Sequence, residues 1–273
     1  MEKKTFIADK NGKLIKTALR VLDGVSYSAL MKCLRKKDVK INGKRTDKDI
    51  DLSAGDEVTV FLPETEKSEK YSVIYSDDNV LVIDKKSGFT SESVYADIKD
   101  DCPDARFVHR LDRNTSGVMM FAKGNAAETA LLSGFRERDF IKTYRARVKG
   151  CPKEEEAVLN AYLLKDPIAA TVKIFDKPVK GSVPIKTGYK VLFSDGDTSI
   201  LSVRLYTGKT HQIRAHLAHI GYPLVGDGKY GDNDFNRAHG AKSQELTAYS
   251  LTLRFAADSP LYYLNEKTFY ITD

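Results

Sequence analysis

From Tyr71 onward the chain keeps returning to short segments in which apolar and polar residues alternate. YSVIY and NVLVID flank an Asp-Asp pair, GVMMFAK follows a polar turn, and IKTYRARVKG, TSILSVRLY and LTAYSLTLRF come later. Period-two alternation is what a pleated strand needs to set one face on a core and turn the other away from it. In IKTYRARVKG it puts Tyr144, Ala146 and Val148 on one face and Thr143, Arg145 and Arg147 on the other. Helical spacing is predicted over roughly 125–138. It recurs after Thr207, where Ile213, Leu217 and Ile220 form a stripe with Arg214 and His211 on one flank and Gln212, His216 and His219 on the other. No repeat or low-complexity tract competes, and the pattern predicts a mixed, mostly antiparallel α+β domain over 71–273.

The first quarter reads differently. Residues 1–63 carry 14 Lys and Arg against 9 Asp and Glu, +5 of the chain's net +6. Seven of these cations, Lys32, Arg35, Lys36, Lys37, Lys40, Lys44 and Arg45, face a single acid, Asp38, which makes a patch suited to a polyanion. Ser26–Lys37 has an N-cap-type serine and then Leu30, Met31 and Leu34 at helical spacing, with Lys32, Arg35 and Lys36 on another face. VKINGKR predicts a short hairpin with an Asn-Gly turn, and DLSAGDEVTVFLP a Gly-Asp turn feeding another strand. On charge alone a solvated basic helix explains the segment equally well. Residues 64–70 (ETEKSEK) are polar and aperiodic, and read as a linker between a small N-terminal α/β domain and the larger one.

Several classes of protein are set aside by composition. With 41% hydrophobic and 30% charged residues the chain is neither disordered nor membrane-spanning, since no apolar run nears the ~18 residues a bilayer requires. Its N-terminus has no apolar segment behind the charges, so a cytoplasmic location is the default. Cys33, Cys102 and Cys151 are isolated and odd in number, against disulfide, zinc or redox work.

Two stretches could carry chemistry. In HRLDRNTSG (His109–Gly117) an acid, Asp112, projects from a turn held between FV and VMMFA, a common setting for a catalytic group. Taken alone, an Asp flanked by arginines is more often a structural turn with a salt bridge. The other stretch is TGKTHQIRAHLAHIGYPLVGDGKYG (Thr207–Gly231), whose Arg214 can pair with a carboxylate. Sharper motifs fail on spacing. TGKT lacks the P-loop's first glycine, for which Val203 stands; His211, His216 and His219 do not form H-E-x-x-H; and DNDFN meets Arg237 where a calcium loop needs glycine. No phosphate cradle, metal cage or dinucleotide fingerprint remains, so no cofactor and no metal is expected, and the chemistry must run on side chains.

In order, HRLDRNTSGVMMFAK, FIKTYRARVKG and TGKTHQIRAHLAHIGYPLVGDGKYG resemble the three signatures of RluA-type RNA pseudouridine synthases. The N-terminal segment is similar to the small RNA-binding domain of ribosomal protein S-four, and the resemblance covers nearly the whole chain. It implies a cofactor-independent isomerisation of uridine to pseudouridine. The family's catalytic aspartate falls on Asp112, and the arginine that helps displace the target nucleotide falls on Arg110. The tyrosine that stacks on the base falls on Tyr144, the arginine that pairs with the aspartate on Arg214, and a leucine supporting the base from beneath on Leu246. His109 and Lys209 join the expected RNA-contacting set, with Lys32, Arg35, Lys36, Lys44 and Arg45 in the N-terminal domain.

Three departures from the family pattern stand out. Lys209 replaces an arginine and loses its bidentate fork; DKKSG (Asp84–Gly88) replaces Lys-Pro-x-Gly; and Leu246-Thr247-Ala248 replaces Leu-His-Ala. The implied partner is RNA, ribosomal rather than transfer RNA because a separate basic domain suits a large structured target, and the implied state is a monomer. A carboxylate can assist base departure by attacking the sugar or by drawing off a sugar proton, and the sequence leaves both open. A non-catalytic RNA-binding assembly factor on the same scaffold is the competing reading; a hydrolase built on the His and Asp residues lacks an ordered triad.

Overall fold

In the computed structural model, which describes residues 2–22, 25, 27–62 and 70–272, strands form where alternation is written. The chain divides into two compact units, Met1–Ser68 and Glu69–Asp273. Ser26, expected as an N-cap, and residues 64–69 of the expected linker lie outside the described residues.

The first unit runs β1 (Glu2–Ile7), β2 (Gly12–Lys13), α1 (Leu14–Val21), α2 (Tyr27–Arg35), β3 (Val39–Ile41), β4 (Lys44–Thr46), β5 (Asp51–Leu52) and β6 (Glu57–Leu62). A four-stranded sheet has the order β1-β6-β3-β4, and β2 pairs with β5. Leu14, Ile15 and Ala18 of α1 and Leu30, Cys33 and Leu34 of α2 pack on Val39, Val58 and Val60. The β3–β4 hairpin closes through Asn42 and Gly43 at φ 47° and 80°, the paired left-handed conformation that an Asn-Gly turn supplies. Lys32, Arg35, Lys36, Lys44 and Arg45 are all exposed.

The second unit contains β7 (Tyr71–Ser76), β8 (Val80–Lys85), α3 (Ser91–Asp101), β9 (Ala105–Phe107), β10 (Ser116–Lys123), α4 (Asn125–Glu137), β11 (Ile141–Lys149), β12 (Glu156–Asp166), β13 (Thr171–Phe175), β14 (Val183–Ser194), β15 (Thr198–Leu205), α5 (Gln212–His219), α6 (Asn233–Ala238), β16 (Leu246–Thr252) and β17 (Thr268–Tyr270). Its 11-stranded sheet follows the path β13-β12-β14-β15-β11-β16-β10-β8-β7, with β17 beside β16 and β9 beside β10. This is the mixed, mostly antiparallel α+β architecture that the alternation predicts. The alternation does not mark β12, β13 and β14; in β12 and β14 several residues are exposed and the apolar rhythm is correspondingly weak.

Two features place the site. The β10–β16 pair is parallel and only two residues long, Ser116↔Thr247 and Gly117↔Ala248. It joins the two halves of the sheet and anchors the end of the polar loop that precedes β10. The expected one-sided stripe on α5 is too narrow: Gln212, Ile213, Arg214, Ala215, His216 and Leu217 are all buried, while Ile220 lies just past the helix end and is half-buried. A helix buried all round carries polar side chains only if each finds a partner, and these do. Gln212 accepts from the Thr207 hydroxyl and the Lys209 N–H and donates to Lys186 O and Thr187 Oγ1.

Gly117 has φ +115°, and a Cβ there would stand 2.2 Å from the Ala248 carbonyl oxygen. Gly117→Ala is therefore expected to wedge the strands apart and lower stability by about 3 kcal/mol, or roughly 6–12 °C in Tm, in thermal unfolding. Gly124→Ala, at φ +80° with nothing within 4 Å, should cost distinctly less.

Candidate active site

The loop His109–Thr115 between β9 and β10 is held from several directions. Ser91 Oγ donates to Leu111 O at 2.8 Å and accepts from Leu111 N at 3.0 Å. Ser87 Oγ donates to Asn114 O, the Gly88 N–H donates to Arg113 O, and Gln244 Nε2 donates to Thr115 Oγ1. Lys85 ends β8 with no exposed surface, its ammonium donating to the carbonyls of Lys86, Phe89 and Arg113 at 2.8–3.1 Å. Burial pushes its pKa down to about 8 against the pull of Asp112 and Asp84. A lysine at the end of V-L-V-I-D looks like a surface residue in sequence; it is instead an internal clamp on the loop that carries Asp112.

Asp112 meets α5 through Arg214, whose Nη1 donates to Asp112 Oδ2 at 3.0 Å. The other edge of the same guanidinium grips Asp227, Nε to Oδ2 at 2.7 Å and Nη2 to Oδ1 at 2.9 Å. Arg214 is 8% exposed and Asp227 wholly buried, whereas Asp112 keeps 26% of its side chain open. Burial alone would raise the Asp227 pKa, but the Arg214 hydrogen bonds and charge and the N–H groups of Lys229 and Tyr230 outweigh it and hold the carboxyl below its usual range. For Arg214 burial acts to lower the pKa, and the two carboxylates reverse that. The guanidinium is thus permanently charged and fixed on one side by a bidentate pair, presenting its remaining N–H to Asp112.

Two aromatic residues complete the surroundings. Tyr230 lies beneath the Arg214 guanidinium, Cζ to ring centre 5.3 Å, and its hydroxyl accepts from Val172 N and bonds His211 Nδ1 at 2.9 Å. His211, at φ +54°, puts Nε2 3.9 Å from Asp112 Oδ2. Burial lowers its pKa, Asp112 opposes, and Arg214 and Lys229 reinforce the lowering, so near pH 7 the ring is neutral and Arg214 supplies the charge. Tyr144 on β11 packs against both the Leu246 and the Leu111 clusters; burial, then the Asp112 charge, raises its hydroxyl pKa, so it stays a phenol at any working pH.

The structure therefore gathers Asp112, Arg214 and Tyr144, with Leu246 5% exposed in the cluster against which Tyr144 packs. Arg110 stands out in solvent, 69% exposed and 3.0 Å from Glu92. Lys209 is exposed on the loop entering α5. His109 is half-buried: its Nε2 accepts from the Met120 N–H at 2.9 Å, its ring lies 4.5 Å from that of Phe135, and burial pushes its pKa down to about 3. The ring braces the loop against β10 through this hydrogen bond. Asp227, Tyr230, Lys85 and Gln244 were not among the predicted residues. A signal existed for Asp227 in the glycines around it, since a Cβ on Gly226 would meet Ser243 O at 1.9 Å and one on Gly231 would meet Asp227 O at 2.2 Å. Among the described residues no group of three or more His, Cys, Asp or Glu converges as a metal site would require, and no helix is long and apolar enough to cross a membrane.

The model of the RNA pseudouridylate synthase family matches residues 79–219, a stretch that includes Asp112, Tyr144 and Arg214 and ends before Asp227. The chain belongs to this family, in its RluA-type branch, and is an RNA pseudouridine synthase. It is 34% identical over 255 residues to ribosomal large subunit pseudouridine synthase C of Escherichia coli (strain K12), covering 84% of this chain and 80% of that one. It is 32% identical over 276 residues to the protein of that name from Salmonella typhimurium, covering 91% and 86%. In fold it is similar to human RNA pseudouridylate synthase domain containing 1, with a TM-score of 0.63 and 24% identity over 75% of this chain and 84% of that one.

Two outcomes follow from these charges. Asp227→Ala leaves a buried guanidinium with one partner, which should cost about 3–5 kcal/mol and, by releasing Arg214, reduce activity more than it weakens RNA binding. Chemical unfolding and single-turnover kinetics check the two parts. His216 is 1% exposed, bonds Thr187 Oγ1 at 3.0 Å, and is pushed down to about 4 by burial. Its folded pKa lies below the unfolded ~6.5, so its contribution is complete above about pH 6.5 and lost as pH falls toward 4. Between pH 7 and 5 stability should drop by about 2 kcal/mol through this group alone, and His216→Gln should flatten that part of the urea-unfolding profile.

Proposed function

We propose that this synthase isomerises uridine in ribosomal RNA with Asp112 as its catalytic carboxylate. The carrying observation is the chain Asp227–Arg214–Asp112: a buried, clamped guanidinium holds one partly open carboxylate next to an aromatic ring. The names of its relatives, synthases of the large ribosomal subunit, support ribosomal RNA over transfer RNA.

The target uridine is stacked in RNA and must be flipped out at a cost of a few kcal/mol. Arg110, exposed on the Asp112 loop, displaces the nucleotide, and the extruded uracil stacks on Tyr144 with Leu246 beneath. The bond from ribose C1′ to N1 then breaks, the electron pair leaving with the uracil. Asp112 assists either as nucleophile at C1′, forming an ester that the base later displaces, or as base toward the C2′ proton, which it afterwards returns. Both routes need a carboxylate oxygen aimed at the ribose, and Arg214 fixes the group by its hydrogen bond to Oδ2 at 3.0 Å. The uracil turns, C5 bonds to C1′, the C5 proton is lost and N1 gains one. Tyr144, held as a neutral phenol, offers its oxygen as a hydrogen-bonding relay for the C5 proton.

In this reading residues 1–63 form an S-four-like RNA-binding domain whose exposed Lys32, Arg35, Lys36, Lys44 and Arg45 contact phosphates, Lys209 adds a contact near the site, and the enzyme works as a cytoplasmic monomer without metal or cofactor. With ribosomal RNA transcripts tritiated at uracil C5, wild type should release tritium to water. Asp112→Asn should lower that rate at least about a thousandfold while retaining RNA binding. Wild-type protein that binds the transcripts and releases none overturns the proposal in favour of a binding factor.

A further inference from the structure

Outside the Asp112 site, the second unit has a cleft of about 460 Å³ lined by the α4–β11 turn, the end of β15 and the segment after β16. Its size falls within the range of small-ligand pockets. Arg138, Arg204 and Arg254 line it with Tyr206 and Phe255, against one acid, Asp139. Arg254 also meets Glu266 at 3.2 Å, where both side chains are at least half exposed, a pair that contributes little in water and can be exchanged. Arg204 lies over the Tyr206 ring at 4.7 Å, as does Lys186 from β14. A guanidinium already seated on an aromatic face loses less freedom on binding and presents its planar fork to a phosphate. Lys142 adds to the local field: burial first, and Arg138 second, hold its pKa below the usual lysine value.

Position relates the cleft to the reaction. Ile141, at its edge, precedes Tyr144 on β11 by three residues, about 10 Å of strand rise. Tyr206 runs directly into Thr207–His211, the loop that sets His211 beside Asp112. Arginines interleaved with aromatic rings are the arrangement with which proteins hold single-stranded RNA.

Resting on the proposed reaction at Asp112, we infer that this cleft is a second RNA subsite, which takes the phosphodiester and base of a nucleotide flanking the flipped uridine. Arg138, Arg204 and Arg254 hold the phosphate, and Phe255 and Tyr206 form the apolar wall. It contributes to RNA affinity and register and takes no part in bond breaking.

The test uses the full-length enzyme and C5-tritiated ribosomal transcripts, measuring kcat, KM and the salt dependence of RNA binding. Arg204→Gln with Arg254→Gln should raise KM about tenfold while kcat stays within twofold, and should flatten the slope of log Kd against log salt by roughly 0.7 for each phosphate no longer neutralised. Arg138→Asn, a residue suited to the left-handed backbone found there at φ +66°, should give a smaller shift in the same direction without structural risk. Lys173→Gln with Lys190→Gln, exposed cations outside the cleft, controls for loss of net charge and should leave the slope closer to wild type. Unchanged KM and slope in all the arginine variants, or shifts matched by the lysine control, overturn the subsite. A wild-type enzyme that binds RNA and releases no tritium overturns the reaction instead, while the salt slopes still decide the cleft.

Discussion

One guanidinium shared between two carboxylates organises the catalytic unit. Arg214 commits two of its nitrogens to the fully buried Asp227 and one to the partly open Asp112. The order of burial matters. A buried ion pair is costly to desolvate and justified only by good geometry, which the bidentate grip on Asp227 supplies, so the arginine is fixed before Asp112 is considered. Asp112 then has a permanent positive neighbour on one side and an approachable edge on the other. Had Arg214 only Asp112 as partner, its long side chain would have to be ordered by the same residue that must engage substrate.

The rest of the second unit serves that geometry from two directions. From one half of the sheet, Lys85, Ser87 and Ser91 bind the backbone of the Asp112 loop, so the carboxylate's position is set by carbonyls and N–H groups that the reaction does not use. From the other half come α5 with Arg214, β11 with Tyr144 and β16 with Leu246. The halves meet at the two-residue parallel pair of β10 and β16, where Gly117 lets the backbones approach. The site sits at this seam because there a loop entering one half and a helix leaving the other come within hydrogen-bonding distance.

Neutral histidines support this arrangement from within the fold. His109 accepts a backbone N–H, His216 bonds Thr187 and His211 bonds Tyr230. All three have lowered pKa values with burial as the first cause. Near neutral pH they act as hydrogen-bonding aromatic rings, and the positive charge in the site comes from Arg214 and Lys85.

Much of this was legible in the chain itself. Period-two alternation from Tyr71 on determines an antiparallel α+β sheet, because a half-buried strand can be written in no other way. The Asn42-Gly43 turn, the helix ending near Arg138, and the pairing of Asp112 with Arg214 also follow from local sequence or from the ordered motifs. The tertiary structure alone decided which polar residues are inside. Lys85 ends a strand with charged neighbours on both sides, yet it is wholly buried, because burial depends on what packs over a strand end and not on the residue's own neighbours in sequence. Asp227 pairs with a residue 13 positions away, across a turn whose closeness no periodicity encodes. The arginine cleft gathers three segments of the chain that only the sheet order brings together.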